Sequence, residues 1–356
     1  MSKFKAFLQR KDIELSWKRY FIDAMSGMAQ GLFCSLLIGT ILDTIGKLSG
    51  VDFFIQLGGY AKQMAGPAMA VAIGYALKAP NLVLFSLLAV GQASNALGGA
   101  GGPLAVLLIA IVAAEFGKVV SKETKVDILV TPSVTILTGC GLATLIAPAI
   151  GKGADAFGSL IMWATEQQPF LMGILVSVLV GIALTLPISS AAICAALGLT
   201  GLAGGAAVAG CCAQMVGFAV MSFKENRWGG LVSQGIGTSM LQMGNIVRNP
   251  RIWIPPIVAS AITGPLATCL FKLEMNGEAI SSGMGTCGFV GQIGVIGGWF
   301  NPAEKAIANG ASAIQAGWVD YLGLILICFV LPAVLCWLGG LLLRRIGWIK
   351  ENDLKL

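Results

Sequence analysis

The sequence contains no histidine, and only 11% of its 356 residues are charged. Without histidine, the chain itself cannot carry a phosphohistidine, a histidine proton relay or a histidine-ligated metal. Soluble domains contain about 25% charged residues, so the shortage of charge argues against a soluble protein. Its mean hydropathy is +0.84, and 56% of its residues are hydrophobic. This composition predicts an integral membrane protein.

Sequence motifs for catalysis and nucleotide binding are also lacking. The chain shows no Walker motif, no nucleotide-binding fingerprint and no catalytic triad. Its nine cysteines are scattered through apolar stretches without a CxxC pair, and buried cysteine packs as a small hydrophobe. We therefore predict no catalytic residue, no metal site and no cofactor on this chain, and we expect no nucleic acid among its partners.

The N-terminus is basic and does not resemble a cleavable signal peptide, because six basic residues precede the first long apolar run at Met25. Residues 1–20 form either an interfacial helix with Phe4, Phe7 and Leu8 on one face or a solvated tail. The positive-inside rule places this end in the cytoplasm, and it places the basic tail, residues 344–356, there too.

Long apolar segments fill the rest of the chain, and about ten of them are long enough to span a bilayer. The sequence therefore predicts an all-α membrane protein with about ten transmembrane helices. The predicted spans cover residues 21–46, 56–78, 81–97, 102–120, 131–150, 170–188, 200–223, 252–272 and 319–343, with Gly-rich segments at 229–247 and 279–299.

Two stretches of the chain look like copies of each other, and the alternative is that unrelated helices share packing faces of small residues. Three groups of residues recur in the same order, which is typical of membrane proteins built from internal repeats. We predict a first repeat at 21–150, an amphipathic connector at 151–169, and a second repeat at 170–343 that includes an extra terminal helix. The matches are Gly31, Ser35, Gly39 and Leu42 with Gly173, Ser177, Gly181 and Leu184; 73–77 with 216–220; and Pro132 and 142–144 with Pro256 and 266–268.

Five segments in the first repeat predict that the second repeat is inverted in the membrane. The basic residues at 224–251 contradict a strictly inverted count, so we expect a break in the helices that restores it. Pro187, followed by Ser189 and Ser190, predicts one break. The glycines within 229–247 predict a re-entrant or non-helical segment.

Neutral polar residues are the candidates for a binding site. Polar groups at membrane depth are costly and tend to face a cavity, and amides and hydroxyls suit a neutral solute that carries hydroxyl or amide groups. For any one of them, hydrogen bonding between helices is the alternative. Glu166 lies near Trp163 and two glutamines in the sequence, and for this residue the alternative to a binding role is an exposed acidic side chain in a loop. The predicted substrate-binding residues are Gln92, Asn95, Glu166, Ser189, Ser190, Gln214, Gln242 and Asn245.

Several longer runs resemble one family. These runs resemble the phosphotransferase-system EIIC-like membrane family that includes the PfoR-type toxin regulator (perfringolysin regulator). They include 75–80 (YALKAP), 119–127 (VVSKETKVD), 184–192 (LTLPISSAA), 210–220 (GCCAQMVGFAV), 252–256 (IWIPP) and 283–291, with Gly66-Pro67 and Thr165-Glu166.

The resemblance implies a multi-pass protein of the bacterial cytoplasmic membrane, related to subunits that bind a sugar while separate cytoplasmic IIA and IIB proteins supply phosphate. Only Thr165 and Glu166 match the Gly-Ile-Thr-Glu-Pro signature of glucose-type EIIC subunits, whose glutamate contacts the sugar. We expect a permease for a small polar solute, which the resemblance implies is a sugar or a sugar-like compound, or a membrane sensor that kept the permease fold and signals the solute to a cytoplasmic partner. We also expect a homodimer.

Overall fold

The computed structural model describes residues 3–356, so the first two residues of the predicted basic segment lie outside the described part of the chain. The described residues contain helices and no strand; their only bridge pairs Gly201 with Met275. Six helical stretches of the described residues are long and apolar enough to cross a membrane, one of which, Asn81–Val120, is a pair of helices, and three shorter apolar helices accompany them. The protein is an all-α membrane protein, as the sequence predicts.

The chain divides into two compact units, Met1–Gly153 and Ala154–Leu356. Each unit is described by itself. The helices of the first unit begin with α1 and run into the second unit through α7. They are α1 (Lys3–Arg10), α2 (Arg19–Gly46), α3 (Asp52–Gln63), α4 (Ala65–Ala76), α5 (Asn81–Gly98), α6 (Gly102–Val120) and α7 (Asp127–Thr165).

Helices α5 and α6 form an antiparallel hairpin. Gly99 turns the chain with φ +50°, a conformation that glycine adopts readily. A Cβ atom on Gly102 would lie 2.8 Å from the Asn95 carbonyl oxygen, and one on Gly117 would lie 2.9 Å from the Val83 side chain. The two predicted spans 81–97 and 102–120 are thus separate helices that return past each other.

The connector predicted at 151–169 is mostly helical. Helix α7 continues without a break to Thr165, which gives it 39 residues. Its polar residues Lys152 and Asp155 are exposed on its surface, so they do not interrupt it. The predicted domain boundaries stay a prediction.

Helices of the second unit surround one buried helix, α10. Its apolar stretch is 94% buried, against 28% for α7, and α8, α13 and α16 pack on it. The helices are α8 (Pro169–Thr185), α9 (Ser190–Leu197), α10 (Gly201–Met221), α11 (Phe223–Val232), α12 (Met243–Arg248), α13 (Pro250–Leu270), α14 (Val290–Phe300), α15 (Glu304–Ala308) and α16 (Trp318–Arg345).

The glycines of the first match allow close helix packing in both units. A Cβ on Gly31 would lie 2.5 Å from the Ala68 carbonyl oxygen, and one on Gly173 would lie 2.9 Å from the Gly264 carbonyl oxygen. Both glycines therefore let two helix backbones touch. The third match differs, because α7 packs on α5 and α6 through Gly139 whereas α13 packs on α8. The inverted orientation of the repeats stays a prediction.

Both predicted interruptions are present. Helix α8 ends at Thr185, and α9 starts at Ser190 after Ser189 accepts a 3.2 Å hydrogen bond from the Ala192 amide. Within 229–247, α11 gives way to a π turn at 233–237, an extended Thr238 with φ −158° and a 3₁₀ turn at 239–242. The break near Pro187 and the non-helical segment are confirmed.

Candidate functional site

Neutral polar side chains meet inside the second unit at the two helix interruptions. Gln214 is the centre of the first group, because the buried face of α10 directs it toward the end of α8. Its Oε1 accepts hydrogen bonds from the Trp253 indole nitrogen at 2.8 Å and from the Thr185 hydroxyl at 3.3 Å. Its Nε2 donates to the Ser260 hydroxyl at 3.4 Å. We call Gln214 and these three partners, with Ser239, the Gln214 hub.

Ser239 connects the hub to the second interruption. Its hydroxyl lies 2.8 Å from that of Thr185, the last residue of α8. Thr185 and Ser239 are both fully buried. A helix end leaves carbonyl groups without intrahelical partners, and the break after Thr185 is what brings hydroxyl and amide groups to this depth.

A second group, the amide chain, consists of Ser222, Gln234, Gln242 and Asn245. Gln234 Nε2 donates to the Ser222 hydroxyl at 2.8 Å, and Gln234 Oε1 accepts from Gln242 Nε2 at 2.9 Å. Gln242 Oε1 accepts from Asn245 Nδ2 at 2.8 Å. The chain begins at the end of α10 and passes through the same 3₁₀ turn that holds Ser239.

The predicted serine pair has structural partners as well. Ser189 caps α9, and the Ser190 hydroxyl donates to the Gly283 carbonyl oxygen at 2.8 Å. A Cβ on Gly283 would lie 2.6 Å from the Ser190 carbonyl oxygen, so glycine is required for this contact. The Gly-rich segment 279–289 thus packs directly against the start of α9.

The predicted site residues therefore fall into different places. Gln242 and Asn245 bond to each other, and Gln214 reaches their 3₁₀ turn through Thr185 and Ser239. Gln92 is exposed and Asn95 half-buried on α5 in the first unit, and Glu166 is exposed just after α7.

A pocket in the second unit contains polar residues that the sequence reasoning missed. It has a volume of about 280 Å³. Asn276 Nδ2 donates to Glu274 Oε2 at 2.9 Å, and Asn309 Nδ2 donates to the Thr200 hydroxyl at 3.3 Å. Its lining residues are Thr200, Gly201, Glu274, Asn276, Ala306, Asn309, Gly310 and Ala311.

Local backbone pairing builds this pocket, which we call the Glu274 pocket. Gly201 and Met275 exchange two 3.0 Å backbone hydrogen bonds, which fix Glu274 and Asn276 on either side of Met275 beside the start of α10. Asn276 is buried and Glu274 half-buried. A carboxylate so close to the end of a predicted span was the available signal, but the sequence alone does not show that residues 306–311 return to it.

The first unit has a cluster of buried charged side chains, whereas the Gln214 hub and the amide chain of the second unit are neutral. The Arg19 guanidinium and the Lys118 ammonium both donate to the Leu77 carbonyl oxygen, at 2.6 and 3.0 Å. Arg19 also pairs with Asp12 at 3.0 Å, and this hydrogen bond holds the pKa of the Asp12 carboxyl below its usual value. Glu115 pairs with Lys118 at 3.1 Å. These contacts form a structural ion cluster at the ends of helices.

Comparison with known proteins gives one match. The family model for the phosphotransferase system EIIC protein matches residues 22–356. Neither the curated proteins nor the solved structures yielded a match.

Proposed function

The chain belongs to the phosphotransferase system EIIC family, and we propose that it binds and translocates a small polar solute, a sugar or sugar-like compound, through its second unit. Membership makes it a membrane permease component, because the match covers nearly all of the chain. The solute class is the proposal. The Glu274 pocket carries it, because this pocket combines an open volume with a carboxylate, amides and a hydroxyl.

The chemistry of the pocket suits hydroxyl groups. A carboxylate accepts hydrogen bonds through about four lone-pair positions, and Asn276 occupies one position on Glu274. The remaining positions fit the hydroxyls of a polyol, and hydrogen bonds to a charged acceptor are stronger than neutral ones. The Glu274 charge disfavours an anionic ligand. A volume of about 280 Å³ is slightly below the range of ordinary ligand pockets, which favours a small solute.

The binding residues predicted from the sequence stay a prediction, and we assign them to a second, more deeply buried solute position. Gln214, Gln242 and Asn245 are bonded to protein partners in the described state. A solute that reached them would have to replace those partners, since an orphaned buried polar group costs about 1–3 kcal/mol. We propose that such an exchange belongs to another step of transport. Gln92, Asn95, Glu166, Ser189 and Ser190 stay predicted contributors.

A matched pair of variants tests the proposal. Glu274→Gln keeps the shape of the side chain and removes its charge, whereas Glu278→Gln makes the same change at an exposed position of the same segment. A panel of sugars and polyols, screened by thermal stabilisation of the purified protein, identifies the ligand. We expect Glu274→Gln to weaken its binding about tenfold, and Glu278→Gln to bind normally. Equal affinity in both variants would refute the Glu274 pocket.

The second candidate is a membrane sensor that reports the solute to a cytoplasmic partner, and it is favoured by the resemblance to PfoR-type regulators. Uptake of the identified ligand into proteoliposomes separates the two, because a sensor binds the ligand without transporting it. We propose that separate IIA and IIB proteins act on the cytoplasmic face of a bacterial cytoplasmic membrane, with both termini on that face and the protein as a homodimer. Labelling of engineered terminal cysteines from either side tests the orientation.

A further inference from the structure

The C-terminal segment, residues 346–356, lies against four side-chain amides of the second unit. The Leu354 carbonyl oxygen accepts hydrogen bonds from Asn226 Nδ2 at 2.7 Å and Gln242 Nε2 at 2.9 Å. The Lys355 carbonyl oxygen accepts from Asn245 Nδ2 at 2.9 Å. Asn226, Gln242, Asn245 and Asn249 form what we call the tail cleft.

Recognition in the tail cleft is mainly of backbone. Asn249 Nδ2 donates to the Trp348 carbonyl oxygen at 2.9 Å, and Asn226 Oδ1 accepts from the Leu356 amide at 2.9 Å. Two side chains add apolar anchors, since Ile349 is 3% and Leu354 is 0% exposed whereas Leu356 is 49% exposed. Main-chain hydrogen bonds with buried apolar anchors are the pattern of a bound peptide.

The cleft shares residues with the amide chain. Gln242 uses one Nε2 group for both Leu354 and Gln234, and Asn245 bridges Gln242 and Lys355. Gln234 then reaches Ser222 at the end of α10. Loss of the tail therefore removes one of the two acceptors that Gln242 Nε2 and Asn245 Nδ2 each bond, which favours repacking of the segment 222–249.

Strained backbone lies beside the cleft. Arg227 has φ +52° and ψ −148°, a combination that only glycine adopts easily. The neighbouring Asn226 holds two groups of the tail. Strain of this kind persists only where surrounding contacts maintain it, and the docked tail supplies such contacts.

We propose that the segment 222–249 contains a peptide-binding cleft whose occupant is the chain's own residues 346–356, and that docking of this tail holds the segment in its closed arrangement. Release relaxes Arg227 and frees Gln242 and Asn245. An effect of release on solute binding rests on the proposed function, but the docking itself does not.

Two full-length variants test the docking. Leu354→Asp places a charge in a buried anchor position, and Leu356→Asp makes the same change at the exposed end. A fluorescent peptide with the sequence of residues 346–356 is added to each protein in lipid nanodiscs. We expect the peptide to bind Leu354→Asp, whose cleft is vacated, and to bind wild type and Leu356→Asp at least tenfold more weakly. A peptide that itself carries Leu354→Asp should bind none of them.

A third variant acts in the opposite direction, so misfolding of Leu354→Asp cannot imitate the result. Arg227→Gly relieves the backbone strain of the closed arrangement, and hydrogen exchange of the tail amides should slow roughly fivefold or more. The proposal is overturned if Leu354→Asp and Leu356→Asp bind the peptide equally, or if Arg227→Gly leaves exchange unchanged or faster. Solute binding measured on the same proteins reports separately on the proposed function.

Discussion

Among the described residues, serine and threonine hydroxyls of the first unit donate only to nearby residues of the chain, whereas several in the second unit also bond residues of other elements. In the first unit, Ser94 and Thr135 each donate to the carbonyl oxygen four residues earlier in the same helix. In the second unit, Ser177 donates to the Ser260 carbonyl oxygen of another helix, and Thr185 reaches Ser239. Local bonds satisfy a polar group without constraining its neighbours, whereas bonds between elements fix how those elements fit together.

Buried charge is also arranged differently in the two units. The first unit concentrates it where helices end, around Arg19, Lys118 and the Leu77 carbonyl oxygen. The second unit also buries an ion pair, Glu225 with Arg344 at 2.7 Å, but its Gln214 hub and amide chain are neutral. Breaking an ion pair leaves an uncompensated charge, which is far more costly than a lost neutral hydrogen bond. The ion cluster of the first unit therefore resists rearrangement, whereas the hub and the amide chain contain groups that can exchange partners.

The largest expected difference between the two units comes from glycines at which two helix backbones touch. A Cβ on Gly210 would lie 1.8 Å from the Ser177 carbonyl oxygen, and one on Gly31 would lie 2.5 Å from the Ala68 carbonyl oxygen. Gly210→Ala should cost about 3 kcal/mol or more of stability and Gly31→Ala less, because α10 is packed on all sides. Thermal unfolding of the purified variants measures both. A larger loss for Gly31→Ala would reverse the comparison.

The Gln214 hub gives the next largest effect. Gln214→Ala leaves Trp253, Thr185 and Ser260 with lost partners, and we expect a loss of about 1–3 kcal/mol of stability. The control is Ser94→Ala in the first unit, which removes only a bond within α5 and should cost well under about 1 kcal/mol. Unfolding midpoints of the two variants measure both effects. Similar losses would show that local and long-range bonds contribute alike.

Acid should weaken the ion pairs of the first unit. Hydrogen bonds from Arg19 and Lys11 lower the pKa of Asp12 and Glu123 from 3.8 and 4.5. A carboxyl group with a lowered pKa stabilises the fold above its ordinary value, and this contribution disappears as the pH falls through the lowered pKa. The stability difference between wild type and Asp12→Asn should thus be full at neutral pH, decline once the pH falls below the ordinary value of 3.8, and disappear below the lowered pKa of Asp12. A difference that stays constant over this range would contradict the ion-pair interpretation.

The smallest effect is expected where a glycine has free space. A Cβ on Gly141 of α7 or Gly59 of α3 would meet nothing within 4 Å. Alanine favours a helix over glycine by about 0.5–1 kcal/mol, so Gly141→Ala and Gly59→Ala should raise the unfolding midpoint slightly. A marked loss at either position would reveal a packing partner for that surface, a second copy of the chain included.

The sequence predicted the helices well where length and hydropathy decide, and the break at Pro187 because proline cannot continue a helix. It misplaced the end of the fifth span, since exposed polar residues such as Lys152 are compatible with a continuing helix. Polarity marked Gln214 and Gln242 as candidates for a solute site, with hydrogen bonding between helices as the alternative, and it did not indicate their partners. The Glu274 pocket depends on pairing between Gly201 and Met275, a contact between residues that are distant in sequence and that no periodic pattern encodes.

The burial of α10 has a consequence for the synthesis of the protein. A helix whose apolar stretch is 94% enclosed has no face shaped for lipid, and its Gln214 side chain is costly in hydrocarbon. The ribosome completes α10 before α13 and α16, the two later helices that cover it. During translation α10 must therefore wait beside the insertion machinery or other proteins, and its final surroundings assemble only after the last helix has entered the membrane.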